Sequence, residues 1–151
     1  NTKLVAEKIA DKFNADIESI VDKVKRTGPA GYIRASKDAV AKNLTDIEPI
    51  QADLSEYATI IIGTPSWYGN MTPAVRTFLA KYDISDKNIA AFGTAHLTGV
   101  ENACRQIVQA VGADELESIP ILPLNGSDLK EEVLLKKVDS FYKLVIKQYG
   151  L

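Results

Sequence analysis

Between residues 2 and 14 the apolar side chains Val5, Ile9 and Phe13 recur at four-residue steps with Ala6 and Ala10 beside them, which predicts a helix with one apolar side. Residues 17–24 mix Ile17, Ile20, Val21 and Val24 with charges and predict a short outer strand, broken off by Thr27-Gly28-Pro29. A weaker helical pattern covers 31–44, and 46–57 reads as connecting chain. The pattern then changes. Residues 58–63, 89–93 and 119–124 are short apolar runs, the form taken by parallel strands covered on both faces. Each is followed by helical periodicity. Thr72-Pro73 sets a capping residue before a proline at the first helical position, with Val75, Phe78, Leu79 and Tyr82 on one face. Val100, Ala103, Cys104, Ile107, Val108 and Val111 form a second stripe that stops at Gly112. Leu134, Val138, Phe141, Val145 and Tyr149 form the last, and Lys136, Lys137, Lys143 and Lys147 favour its later turns, where the helix dipole prefers cations.

Strands alternating with helices imply right-handed crossovers and a parallel sheet layered between helices, an α/β architecture of three layers. In such sheets ligands bind beyond the carboxyl ends of the strands. Two loops fall there, 64–70 and 94–99, and both are rich in small residues that expose backbone groups.

Composition narrows the partners. At 151 residues the chain is expected to form one domain, 1–151, with a core of its own. A net charge of -2 with scattered basic residues offers no footprint for nucleic acid. One cysteine excludes an internal disulfide and any CxxC motif, and one histidine argues against a dedicated metal site. A reducing cytoplasm fits that usage. No apolar stretch approaches the roughly 20 residues of a spanning helix, so no membrane partner is expected.

The candidate chemistry sits in "GTPSWYGNM", residues 63–71, where the only Trp stands beside a Tyr in a loop of Gly, Pro, Ser and Asn. Trp67 or Tyr68 can stack on a flat conjugated ligand while Gly69 and Asn70 bring peptide groups to its polar edge. The alternative is that Trp67 covers an apolar hole beside the Phe78 helix. His96 either donates to a ligand carbonyl or is an ordinary surface histidine. Met71 and Cys104 read as packing.

Three stretches resemble the flavodoxins and flavodoxin-like FMN proteins. "DLSEYATIIIGTPSWYGNMTPAVRTFL", residues 53–79, is similar to the family's strand, first flavin-contacting loop and following helix, with Pro65-Ser66-Trp67 resembling the Pro-Thr-Trp that sets an indole against the isoalloxazine. Gly69-Asn70-Met71 is similar to the loop of the related quinone reductases, and "AAFGTAHLTGVENA", residues 90–103, lies where the second flavin loop belongs. The opening "NTKLVAEKIADKF" resembles the end of the family's phosphate loop running into its first helix.

The resemblance implies a flavodoxin-like three-layer fold with strand order 2-1-3-4-5 and FMN as cofactor. Asn1 and Thr2 would remain from the phosphate cradle. Thr64, Pro65, Ser66, Trp67, Tyr68, Gly69 and Asn70 would line one side of the ring, and Thr94, Ala95, His96 and Gly99 the other. It implies no catalytic side chain and no metal. The implied function is single-electron transfer through the flavin semiquinone, between a reductase and an acceptor protein, with Asp53, Glu56 and Glu101 as a possible docking surface. One alternative is an FMN-dependent NAD(P)H:quinone reductase, against which a bulky Trp67 argues. The other is a flavin-free module whose open sheet accepts a partner strand. In the family a hydrophobic strand precedes Asn-Thr, whereas this sequence begins at Asn1. Without that strand its two neighbours would stand roughly 9.6 Å apart, too far to pair. The expectation is that the sequence is part of a longer polypeptide, with a strand from another chain or a swapped dimer, or a rearranged sheet, as the alternatives.

Overall fold

The three apolar runs become three parallel strands, β1 (Thr59–Pro65), β2 (Asn88–Thr94) and β3 (Ile121–Leu124), in the order β1-β2-β3. They belong to a computed structural model that describes residues 1–26, 28–112 and 118–151. Five α-helices accompany them among the described residues: α1 (Thr2–Phe13), α2 (Gly28–Val40), α3 (Pro73–Lys81), α4 (Val100–Ala110) and α5 (Glu131–Tyr149).

Alternation along β2 divides the core in two. Ala90 and Phe92 face one side, where Val5 and Ile9 of α1 and Leu134, Val138, Phe141 and Val145 of α5 close over them. Ile89 and Ala91 face the other, against Ala74, Val75 and Phe78 of α3 and Ile107 of α4. The result is the α/β/α layering expected from the sequence, with the buried strands carrying apolar residues on both faces because helices cover both. Gly63 is paired in register with Phe92, and a Cβ on it would lie 2.1 Å from the Phe92 ring, so the missing side chain makes room for that ring over β1.

The order β1-β2-β3 matches the last three strands of the 2-1-3-4-5 order that the resemblance implies. Among the described residues no strand pairs with the other edge of β1. The outer strand expected at 17–24 does not form. A strand needs a neighbouring edge to bond, and this segment finds one in the connecting chain instead: Asp22 and Ile47 make an antiparallel bridge, with Lys23 N–H donating to Asp46 O at 2.9 Å and Glu48 N–H to Val21 O at 2.9 Å. The Glu18 carboxylate extends the contact by accepting from Gln51 N–H at 2.6 Å and Ala52 N–H at 2.9 Å.

The expected break at Thr27-Gly28-Pro29 lies partly outside the described residues, since Thr27 is not among them. Gly28 and Pro29 open α2 rather than end a strand, because proline is tolerated in the first helical turn, where its missing N–H has no partner to lose. α2 is anchored by a polar cluster: Arg26 pairs with Asp38 of α2 and, through Nε at 2.9 Å, with Asp22.

Candidate functional site

β1, β2 and β3 end at Pro65, Thr94 and Leu124, and the loops that leave them are stitched together. Ser66 N–H donates to Thr94 O at 2.7 Å, Ala95 N–H to Leu124 O at 2.9 Å, and Gly126 N–H to His96 O at 3.2 Å. The amino end of α1 joins the same rim, with the Thr2 and Thr94 hydroxyls 2.7 Å apart. Asn1 stands at the N-cap without a side-chain cap bond, so the first N–H groups of α1 are left without a capping side chain.

The aromatic loop is a tight hairpin turn. Trp67 N–H donates to Asn70 O at 2.9 Å and Asn70 N–H to Trp67 O at 3.0 Å. Tyr68 and Gly69 between them have φ of 52° and 76°, the two positive angles of a type I′ turn. Gly69 lies flat against the second loop: a Cβ on Gly99, itself at φ 83°, would be 2.7 Å from Gly69 Cα. The two loops therefore touch backbone to backbone, which only glycine permits here.

The residues singled out in the sequence take different parts on this rim. Trp67 is half-buried, neither in the core nor free of the body, and Tyr68 is 65% exposed. Pro65, Gly69, Asn70 and Ala95 are half-buried, whereas His96 and Gly99 are exposed. Thr64 is fully buried, and its hydroxyl accepts from Thr72 N–H at 3.2 Å and donates to Pro65 O at 2.9 Å, tying the end of β1 to the start of α3. Ser66 differs from Thr64 and Thr94: its Oγ is buried and has no hydrogen-bond partner among the described residues. A buried hydroxyl left without a partner costs about 1–3 kcal/mol, so the Ser66 Oγ is an unmet hydrogen-bonding demand where these loops meet.

Met71 and Cys104 are core residues, as their positions in the pattern predict. Burial, with a smaller contribution from Glu101, pushes the Cys104 thiol up to about 12, so it is no nucleophile. Of the three acids considered for docking, only Glu101 is beside the rim, in the first turn of α4 and paired with Arg105 at 2.8 Å. Asp53 and Glu56 precede β1 and so sit at the amino ends of the strands, at the opposite end of the sheet.

Sequence reading missed two parts of the rim. One is the third loop, where Asn125 and Asp128 form a capping box over a short 3-10 turn, Gly126–Leu129. The Asn-Gly-Ser run directly after a buried strand is the signal that finds it. The other is a pair of α4 amides, Asn102 and Gln106, that reach the turn from below. No group of acidic, His or Cys side chains able to hold a metal occurs among the described residues. No described helix is long and apolar enough to cross a membrane.

A family model described as Flavodoxin matches residues 1–139. No curated protein matches the chain. Among solved structures it is similar to two proteins each named "putative flavoprotein". The one from Bacteroides uniformis has TM-score 0.69 and 20% identity, covering 92% of this chain and 90% of that one. The one from Bacteroides eggerthii has TM-score 0.69 and 15% identity, covering 95% and 89%. A flavoprotein from Lactobacillus acidophilus, solved in complex with FMN, has TM-score 0.65 and 19% identity, covering 87% and 89%. At these identities the likeness establishes a shared fold.

Proposed function

The chain belongs to the flavodoxin family, and from that premise we propose that it binds FMN at the rim and works as a one-electron carrier between redox proteins. The observation that carries the reading is the buried Ser66 hydroxyl, which has no hydrogen-bond partner among the described residues and is set between the Trp67 turn and the second loop over the ends of β1 and β2. It is the kind of atom a flavin's polar edge completes. The FMN found in the similar Lactobacillus acidophilus protein supports the same cofactor.

The residues present suit such a group. Trp67, half-buried on the turn, supplies an aromatic face of the right size for an isoalloxazine ring. Asn1, Thr2 and the uncapped first turn of α1 offer N–H donors and the positive end of a helix dipole to a phosphate, with no metal required. Ser66 and Asn70 belong to one side of the ring and Thr94, Ala95, His96 and Gly99 to the other in this reading. When bound, the flavin supplies the redox chemistry. The chain's own part is to bind and orient the ring, to exclude water with the Trp67 turn, and to set the local field. A poorly hydrated, aromatic surrounding disfavours added negative charge on whatever it encloses. The partners proposed are a reductase and an acceptor protein, meeting the exposed rim around Tyr68 and Leu97, which is 81% exposed.

The discriminating experiment is anaerobic mixing of FMN-loaded protein with NADPH alone and, separately, with reduced methyl viologen. A carrier is reduced rapidly by the one-electron donor and only sluggishly by the nicotinamide. Direct and rapid bleaching by NADPH would make the protein a reductase and overturn the carrier assignment.

A further inference from the structure

The turn that carries Trp67 is held from α4 by two amides one helical turn apart. Asn102 Nδ2 donates to Gly69 O at 2.6 Å. Gln106, buried, uses both ends of its amide: Oε1 accepts from Met71 N–H at 3.3 Å and from Arg76 Nη2 at 3.0 Å, while Nε2 donates to Asn70 Oδ1 at 2.7 Å. The polarity of this arrangement is dictated by its members. A main-chain N–H and a guanidinium can only donate, so the Gln106 oxygen faces them and its nitrogen is turned to Asn70. Asn70 must then offer its oxygen, and its own Nδ2 is left to donate to Tyr68 O at 2.8 Å. Hydrogen bonds thus run in one direction from Arg76 through Gln106 and Asn70 to the Tyr68 carbonyl, and both central carbonyls of the turn receive a side-chain amide.

Arg76 strengthens the case that this chain of contacts is more than filling. Among the described residues its guanidinium has no carboxylate partner and its buried Nε no hydrogen-bond partner, and burial lowers its pKa. A half-buried cation ordinarily takes an acid for a partner. Here its charge is directed through one neutral amide at the turn.

Resting on the FMN reading above, we propose that Gln106 is a positioning residue for the flavin-contacting turn: together with Asn102 it fixes the peptide groups of residues 68–70, and so sets how tightly and at what potential the flavin is held.

Gln106→Glu tests this with little disturbance of the fold. The carboxylate still accepts from Met71 N–H and gains an ion pair with Arg76, but it cannot donate to Asn70, which must rotate and release the Tyr68 carbonyl. In flavin-free protein the Trp67 and Asn70 amides are expected to exchange with deuterium about fivefold faster, the loss of roughly one net hydrogen bond, while β2 amides are unchanged. With FMN, the dissociation constant is expected to rise about fivefold and the midpoint potential to move from that of the unaltered protein. Asn102→Ala is expected to act in the same direction. Gln109→Glu, the same change at an exposed site of α4, is expected to do neither. Unaltered exchange at Trp67 and Asn70 in both Gln106→Glu and Asn102→Ala would overturn the inference whether or not flavin binds. So would faster exchange with unchanged affinity and potential. Failure of the unaltered protein itself to bind FMN would instead refute the cofactor reading on which the flavin role rests.

Discussion

At the scale of single residues, two glycines decide how the rim closes. Gly99 is at φ 83° and faces Gly69 with no space for a Cβ, whereas Gly150 is at φ 65° with nothing described within 4 Å of the same point. Both positions penalise alanine through the left-handed backbone, by about 1–2 kcal/mol where the chain cannot relax. Only Gly99→Ala also forces two backbones apart. Urea denaturation is therefore expected to show Gly99→Ala less stable than Gly150→Ala by about 1–3 kcal/mol, the cost of overpacking. Equal midpoints would mean that the two loops are not pressed together in solution. Ser66 shows why such details escape a sequence. Its neighbours Pro65 and Trp67 could be read as a rim motif, but that its hydroxyl lacks a partner among the described residues while Thr64 and Thr94 have theirs follows only from where three separate loops meet.

At the scale of elements, what the pattern disclosed was whatever the local chain alone could enforce. β1 and β2 were legible because short unbroken apolar runs bounded by turn residues suit a sheet covered on both faces, and each extends past the predicted end, β1 through Thr64 and Pro65 and β2 through Thr94. The start of α3 was legible from Thr72-Pro73, a cap and a preset φ adjacent in sequence. Residues 17–24 were not, because whether β-branched residues become a strand depends on an edge supplied by a remote part of the chain. Here the edge came from residues 46–48, the stretch read as mere connection. Gln106 is the equivalent case on a helix: a polar residue buried in the stripe of α4, whose reason is Asn70, 36 positions earlier. The parts of the candidate site written in one loop are legible in the sequence, and the parts that bridge elements are not.

At the scale of the whole molecule, carboxylates link the helices and set an acid limit. Lys12, followed by Lys143, holds Asp139 well below its ordinary value of 3.8, to about 2, and thereby joins α1 to α5. Burial alone would raise Asp22, but hydrogen bonds from Arg26, Val24 N–H and Thr45 outweigh it, and Arg26 likewise lowers Asp38. Asp128 is lowered chiefly by the Asn125 N–H, with Lys137 adding to it. A carboxylate whose pKa is lower folded than unfolded stabilises the fold fully above its unfolded value, and that contribution is lost as pH falls through the folded one. The urea midpoint is accordingly expected to be insensitive to these groups from pH 7 to about pH 5 and to fall progressively from about pH 4 toward pH 2. A midpoint that held steady to pH 2 would show that the linkages contribute nothing.

The central claim, that the rim holds FMN against Trp67, is open to one direct measurement, because the chain has a single tryptophan. Titrating the protein with FMN while following tryptophan emission is expected to give saturable quenching at one flavin per chain. Emission that declines no more than that of free tryptophan under the same additions would contradict it.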